Sequence, residues 1–212
     1  MRKPSTVTTG TRTRLLETAG QVFRWQGFHA TGLDEILKRS GTPKGSLYHY
    51  FPGGKDQLAI EALRYVSGLL ERRASVILSS NSDPLRALRM LFEFTAKTLS
   101  ESGFRDGCPI AAVTLDVASE RNLIREACEQ SLQEWLDVFV QHFRRAGLTT
   151  ARAKSIATLC FAALEGGLIL SRAQKNIAPL NAIADELIQL IRMSSATPRA
   201  ERKARKAKLF PS

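Results

Sequence analysis

The sequence predicts an all-α fold of about nine helices, and three features carry that reading. Apolar residues recur at the i, i+3, i+4, i+7 spacing of a core-facing helix in one segment after another. No stretch alternates apolar and polar residues as a half-buried strand does. Glycine and proline fall between the periodic segments, where they act as stops and starts.

Taken in order, the first helix is expected from about Thr11 to Gly27, with Leu15, Leu16, Ala19, Val22 and Phe23 on its stripe and Gly27 as its stop. Thr31 precedes Gly32-Leu33-Asp34, so its hydroxyl is expected to cap a second helix through Ile36, Leu37 and Ser40 that Gly41 closes. Thr42 then stands as an N-cap with Pro43 at the first helical position, where a missing N–H costs nothing, and a third helix runs to about Phe51. Two helices joined by so tight a glycine turn must lie across each other. Pro52-Gly53-Gly54 breaks the chain, and Lys55 opens a long fourth helix reaching about Leu78. Asp83-Pro84 starts a fifth, with Leu85, Leu88, Phe92, Thr95 and Leu99 as its stripe, and Pro109 starts a short sixth that ends near Ser119. The seventh, from about Glu120 to Ala146, places Cys128, Leu132, Trp135, Leu136, Phe139 and Phe143 at helical spacing.

The eighth helix, about Thr150 to Lys175, has almost no polar face and is expected to be buried on all sides. In a body this size that implies a second subunit covering what the first does not. The ninth, about Leu180 to Met193, is expected to pair with it. Gly166-Gly167 inside the eighth costs about 1 kcal/mol per glycine against alanine, so a close helix crossing or an approaching ligand should compensate.

Charge sharpens the functional reading. The 212 residues carry a net +11, with a pI near 10.1, which points to a polyanionic partner. The charge is uneven: residues 1–65 carry 10 basic and 5 acidic side chains, residues 66–198 carry 15 and 14, and residues 199–212 carry 6 and 1. A nearly neutral body thus lies between two basic ends. No uninterrupted apolar run approaches the ~20 residues of a membrane span, and the N-terminus lacks the apolar core of a signal peptide, so the expected location is the cytoplasm with no membrane partner. Cys108, Cys128 and Cys160 fit neither a disulfide framework nor a zinc site and read as packed thiols. His29, His49 and His142 lack metal-ligand spacing, so no metal or cofactor is expected. Nor does any motif support an enzyme built on Cys108, Asp116 or His142.

The informative segment is Thr42 to Phe51, TPKGSLYHYF. A helix that enters a major groove must be short, must offer small residues where its backbone nears the bases, and must carry phosphate donors beside them. Leu47 and Phe51 serve the core, which leaves Lys44, Tyr48 and His49 as the polar or amphipathic surface, with Gly45 and Ser46 as the small residues at the helix start. Lys55 places a cation against the dipole at a helix start, a conflict of a few tenths of a kcal/mol (about 0.3) that an anion would relieve. Arg12 and Arg14 open the first helix, and Arg2 and Lys3 lie on an arm able to reach a neighbouring groove.

The stretch from Thr11 to Leu58 resembles the DNA-binding domain of the TetR/AcrR transcriptional regulators. The resemblance rests on Gly27, Phe28 and Thr31 at one junction, on Gly41, Lys44, Gly45, Leu47, Tyr48 and Phe51 in the recognition segment, and on Lys55 after it. The double glycine in Phe51-Pro52-Gly53-Gly54-Lys55, and Gly107-Cys108-Pro109-Ile110, are similar to the LmrA/YxaF-like subgroup. Pro43 before Lys44, where many members place a serine, departs from the commoner pattern. The resemblance implies an N-terminal arm and helix-turn-helix DNA-binding domain at 1–55, a helical ligand-binding and dimerisation domain at 56–196, and a basic tail at 197–212. It implies DNA contacts by Arg14, Thr31, Thr42, Pro43, Lys44, Tyr48, His49 and Lys55, with Gly45 and Ser46 near base edges. It also implies a homodimer through the eighth and ninth helices on a palindromic duplex, released by a small hydrophobic, drug- or flavonoid-like inducer. For that inducer a pocket lined by Phe92, Thr95, Leu99, Trp135, Phe139, Phe161 and Glu165 is expected, with Asn122 and Gln133 as further polar candidates. The rival reading is a non-specific nucleic-acid binder whose two basic ends do all the work.

Overall fold

A computed structural model describes residues 10–117 and 122–195, and the described residues form nine helices and no strand. They are α1 Thr11–Gln26, α2 Leu33–Ser40, α3 Lys44–Tyr50, α4 Gly54–Ser79, α5 Pro84–Glu101, α6 Pro109–Val117, α7 Asn122–Arg145, α8 Thr150–Gln174 and α9 Ala178–Ser195. The arm with Arg2 and Lys3, the sixth-to-seventh junction at Ser119 and Glu120, and the tail at 197–212 lie outside the described residues.

The apolar stripes meet in two cores. Leu15, Phe23, Phe28, Ile36, Leu47, Phe51 and Leu58 gather α1 to α4 around one, and Ile110, Val113 and Val117 of α6 with Ile124 of α7 complete it. The other joins the distal half of α4 to α5, α7, α8 and α9 through Leu78, Leu88, Phe92, Phe139, Phe143, Ile156, Cys160, Leu187 and Ile191. α4 runs through both, and so does the middle of α7, where Leu132 and Trp135 pack against each. The first three helices are therefore bonded by apolar contact to α6, not merely strung before it.

Two crossings depend on missing side chains. At the α1–α4 crossing, a Cβ on Gly20 would lie 2.4 Å from Val66 Cγ2. Gly167 of α8 does the same for α9, since its Cβ would come within 2.8 Å of Leu180. The compensation expected for Gly167 is thus a close helix crossing, whereas Gly166 faces open space.

The caps of α2 and α3 differ from expectation. Gly32 and Pro43 occupy the cap positions, and neither helix receives a side-chain cap. Thr31 turns inward and its hydroxyl donates to Gly27 O at 2.6 Å. Thr42 is drawn inward because left-handed Gly41 (φ 61°) brings the Thr42 N–H to Leu37 O, leaving its hydroxyl on Ser40 O. Pro43 then keeps an extended ψ of 148° and stays outside the helix. Asp83 and Thr149, by contrast, do cap α5 and α8 with their side chains.

α8 is not buried on all sides within one chain. Ile169 is 59% exposed, and Leu159 and Leu170 are also open, because α7 and α9 cover only one side of it. By length and composition it is apolar enough to cross a membrane, yet it lies in the second core.

Candidate functional site

α3 is a seven-residue helix held from beneath and open above. Leu47 and Phe51 are fully buried in the first core, which fixes the helix against α1 and α4. Pro43, Lys44 and Gly45 are exposed, Ser46 is half-buried, and Tyr48 and His49 project outward, Tyr48 at 46% exposure. A Cβ on Gly45 would meet nothing, so the surface above that backbone is bare. Lys44, Gly45, Ser46, Tyr48 and His49 therefore share one open face. Tyr50, also exposed, packs edge-on against the His49 ring at 4.9 Å.

The flanking residues divide. Lys55 sits at the start of α4 with its ammonium 4.3 Å from the centre of the Phe28 ring. That cation–π contact, together with Asp56 in the same turn, accounts for a lysine against the dipole without calling on an anion. Arg14 is half-buried in the first turn of α1 beside Thr11. Arg12 pairs with Glu61 and lies over Phe51. Thr31 and Thr42 are buried with hydroxyl and N–H both engaged inside, so in this conformation neither offers a donor to the surface.

A second site lies among the later helices, with a wall drawn from residues between Arg24 and Leu168. A cavity of about 100 Å³ opens between α4, α5, α7, α8 and the segment Gly107 to Ile110. Thr95, Leu99, Trp135, Phe161 and Glu165 line it, with Trp135 and Phe161 5.9 Å apart between ring centres. Phe92 and Phe139, expected there too, are fully buried in the second core and stand outside the wall. The α5 face turned to the cavity carries Phe94, Thr95 and Thr98, so Phe94 takes the place foreseen for Phe92. Asn122 and Gln133 face solvent, the latter bonded to Asp137.

Sequence reasoning missed Arg24, Ser67, Asp106 and Cys108 as wall residues. Ser67 is buried with no hydrogen-bond partner for its hydroxyl. Burial raises the Glu165 carboxyl to about 7, although the Cys108 thiol donates to it. Burial, with Glu165 beside it, pushes the Cys108 thiol well above its ordinary value, so it is a protonated donor rather than a nucleophile.

The two sites are joined by carboxylates. Asp106, at the cavity wall, accepts from Arg24 Nη1 and Trp25 Nε1 of α1, both at 2.8 Å. Arg105 lies 4.0 Å from the Trp25 ring centre on the same contact. On α6, Asp116 accepts the backbone N–H of His29 at 2.6 Å, in the turn between α1 and α2. Gly27 permits that approach: its φ is +77°, and a Cβ there would lie 3.0 Å from the Asp116 carboxylate.

Comparison with known proteins agrees with this geometry. Residues 15–62 match the profile of the bacterial regulatory proteins of the tetR family, and residues 84–186 match the C-terminal domain of LmrA/YxaF-like transcriptional regulators. The uncharacterized HTH-type transcriptional regulator YxaF of Bacillus subtilis is 35% identical over 181 residues, spanning 85% of this chain and 95% of that protein. The HTH-type transcriptional regulator LmrA of the same organism is 33% identical over 181 residues, spanning 85% and 96%. Among solved structures, a TetR transcriptional regulator from Legionella pneumophila superposes with a TM-score of 0.79 at 17% identity, over 87% of this chain and 99% of that one. The reduced form of Escherichia coli NemR gives 0.74 at 22%, over 84% and 96%. These relatives are regulators, not enzymes, and the chain belongs to the TetR family of transcriptional regulators, with a C-terminal domain of the LmrA/YxaF-like kind.

Proposed function

We propose that the protein is a ligand-responsive repressor of the cytoplasm, which binds a palindromic duplex as a homodimer and lets go when a small hydrophobic inducer fills the cavity. The observation that carries this reading is adjacency. Cys108, Pro109 and Ile110 wall the cavity, and two residues before Cys108 the Asp106 carboxylate holds α1 of the DNA-binding head. A ligand that displaces this segment moves Asp106 and α6 with it, and Asp116 on α6 pulls on the turn before α2.

The division of labour follows the sequence reading: residues 1–55 bind DNA, 56–196 bind ligand and dimerise, and 197–212 form a basic tail. On α3, Gly45 and Ser46 approach base edges, while Lys44, Tyr48 and His49, with Arg14 and Lys55 beside them, bind phosphates. Pro43 sets the approach of the helix, and Thr31 and Thr42 hold the turns from inside. The partner is a second copy. Leu159, Ile169 and Leu170 of α8 and Met193 of α9 are exposed apolar side chains, and open Gly166 lies on the same side of α8 as Ile169 and Leu170. Two such faces cover each other, and the twofold axis sets the α3 helices over half-sites about one turn, ~34 Å, apart.

Induction is a shift between forms. To turn 1% DNA-incompetent dimer into 99%, the inducer must bind that form about 10⁴-fold more tightly than the other. Tight binding without that difference changes nothing. Substitution tests the α3 assignment: Tyr48→Ala and Lys55→Ala weaken binding to every duplex, and changes at Ser46 alter which duplex is preferred. Unchanged affinity and preference in all three variants refutes it.

A further inference from the structure

The cavity wall carries one carboxyl that no basic side chain pairs with. Its ionisable residues are Arg24, Asp106, Cys108 and Glu165. Arg24 and Asp106 pair with each other at 2.8 Å. Arg172, the next charge along α8, lies against Gly107, and Arg73 on α4 lies over the Phe94 ring. Among the described residues no ion pair reaches Glu165, and the titratable neighbour acting on it is the Cys108 thiol. From the other packed elements, the cavity receives Ser67 of α4, Thr95 and Thr98 of α5 and Trp135 of α7, none of which carries charge.

The rest of the wall suits a cation. Trp135 and Phe161 stand side by side, and aromatic faces carry the negative end of the ring quadrupole. Thr95 and Thr98 donate their hydroxyl protons to Leu91 O and Phe94 O, so what they have left for a ligand is lone pairs. The Ser67 hydroxyl, buried and unpartnered, can accept or donate, and the Arg24 Nε–H is the other buried polar atom of the wall without a partner, on a guanidinium already paired with Asp106. An anion would meet repulsion from the ionised Glu165 carboxylate, while the Arg24 charge is already offset by Asp106. A neutral molecule would leave the carboxylate uncompensated or require it to hold a proton.

We propose that this cavity takes a hydrophobic cation, an aryl-alkyl ammonium, whose charged head pairs with the ionised Glu165 carboxylate against the Trp135 and Phe161 faces. The inference rests on reading the cavity as the effector site, and it names the class of effector. Binding a cation favours the ionised carboxylate, so occupancy is coupled to loss of the Glu165 proton.

Calorimetric titration of the full chain with two probes tests this. One is 3-phenylpropyltrimethylammonium, whose charge does not titrate, and the other is 3-phenylpropan-1-ol, which has none. The cation should bind the more tightly. With the free carboxyl at about 7, its affinity should rise about 30-fold from pH 5.5 to 8.5, while that of the alcohol does not rise. Glu165→Gln, which keeps shape and removes charge, should abolish both the pH dependence and the preference for the cation while retaining the alcohol. His29, His49 and His142 lie off the cavity wall and remain in that variant, so their titration does not explain the difference. Equal or tighter binding of the alcohol to the wild-type chain, or a pH dependence surviving Glu165→Gln, overturns the inference and leaves the effector site standing. Binding of neither probe overturns the cation and the effector site together.

Discussion

Gly45→Ala separates what the fold needs from what the duplex needs. Gly45 is the second residue of α3, on its open face, and a Cβ there meets nothing within 4 Å. Its φ lies outside the left-handed range, so alanine takes the same backbone without strain. The unfolded chain loses freedom and the helix loses nothing, which stabilises the protein by about 0.4–1 kcal/mol. For a chain of this length that is a rise in Tm of roughly 1–4 °C. Against DNA the sign reverses. The added methyl stands where backbone is to meet base edges, and losing the close approach should cost about 1–3 kcal/mol, or roughly 5- to 150-fold in Kd. Thermal unfolding followed by circular dichroism, and fluorescence anisotropy on a preferred duplex at fixed salt, measure the two effects on one preparation. A more stable protein with unchanged affinity removes Gly45 from the interface. A less stable protein shows that the site is not open and refutes the geometry itself.

The same substitution at Gly20 should act in the opposite direction on stability: its methyl collides with stiff Val66 across the α1–α4 crossing, costing about 1–3 kcal/mol in a denaturant titration. Gly166→Ala touches nothing within one chain, so a weakened dimer in sedimentation velocity at falling concentration is the expected sign that α8 faces a second copy, and an unaltered dimer removes that face from the interface. Asp106→Asn keeps the shape but removes the charge that holds α1 to the cavity wall through Arg24, so operator affinity should become less sensitive to any effector that releases the wild-type protein. Glu165→Gln carries a pH signature in stability as well. Folding raises this carboxyl from 4.5 to about 7, so its ionisation opposes folding: the unfolded chain holds fewer protons between those values, and stability is lost as pH rises from 4.5 to about 7 and is level above that. The glutamine variant should match the wild type near pH 4.5 and exceed its Tm at pH 8.5; equal Tm values at both would show that the carboxyl is solvated.

Much of this was legible in the chain, because periodicity reports burial and burial fixes helices. Leu15, Leu16, Ala19 and Phe23 occupy one buried stripe, and Leu47 and Phe51 anchor α3 as their spacing requires. The TPKGSLYHYF segment announced its open face through the small residues at its start. Caps were less legible. Thr31 and Thr42 have the right chemistry for helix starts, but the Gly27 and Gly41 turns rotate both hydroxyls into the head, a tertiary outcome that local propensity does not encode. The cavity was half legible. Trp135, Phe161 and Glu165 were foreseen, but Phe92 and Phe94 are two residues apart on one helix, and which of them faces the void depends on how α5 is rotated against α4 and α9. Asp106 and Asp116 carried no signal, since a lone aspartate in a loop or on a short helix reads as solvated charge until its partners 81 and 87 residues earlier are brought to it. The expectation that α8 is buried on all sides ran past a single chain, whose α8 keeps an exposed apolar face.

The central claim is that α3 reads a sequence, twice, across a twofold axis. Selecting bound duplexes from a random pool at physiological salt, with the full chain, tests it directly. The account predicts one enriched motif with two inverted halves centred about 10 base pairs apart or a multiple of that, abolished when Ser46 and Tyr48 are replaced together. A pool that stays random, with binding that falls equally for all duplexes as salt rises, would contradict it and leave a basic protein that holds phosphates without reading bases.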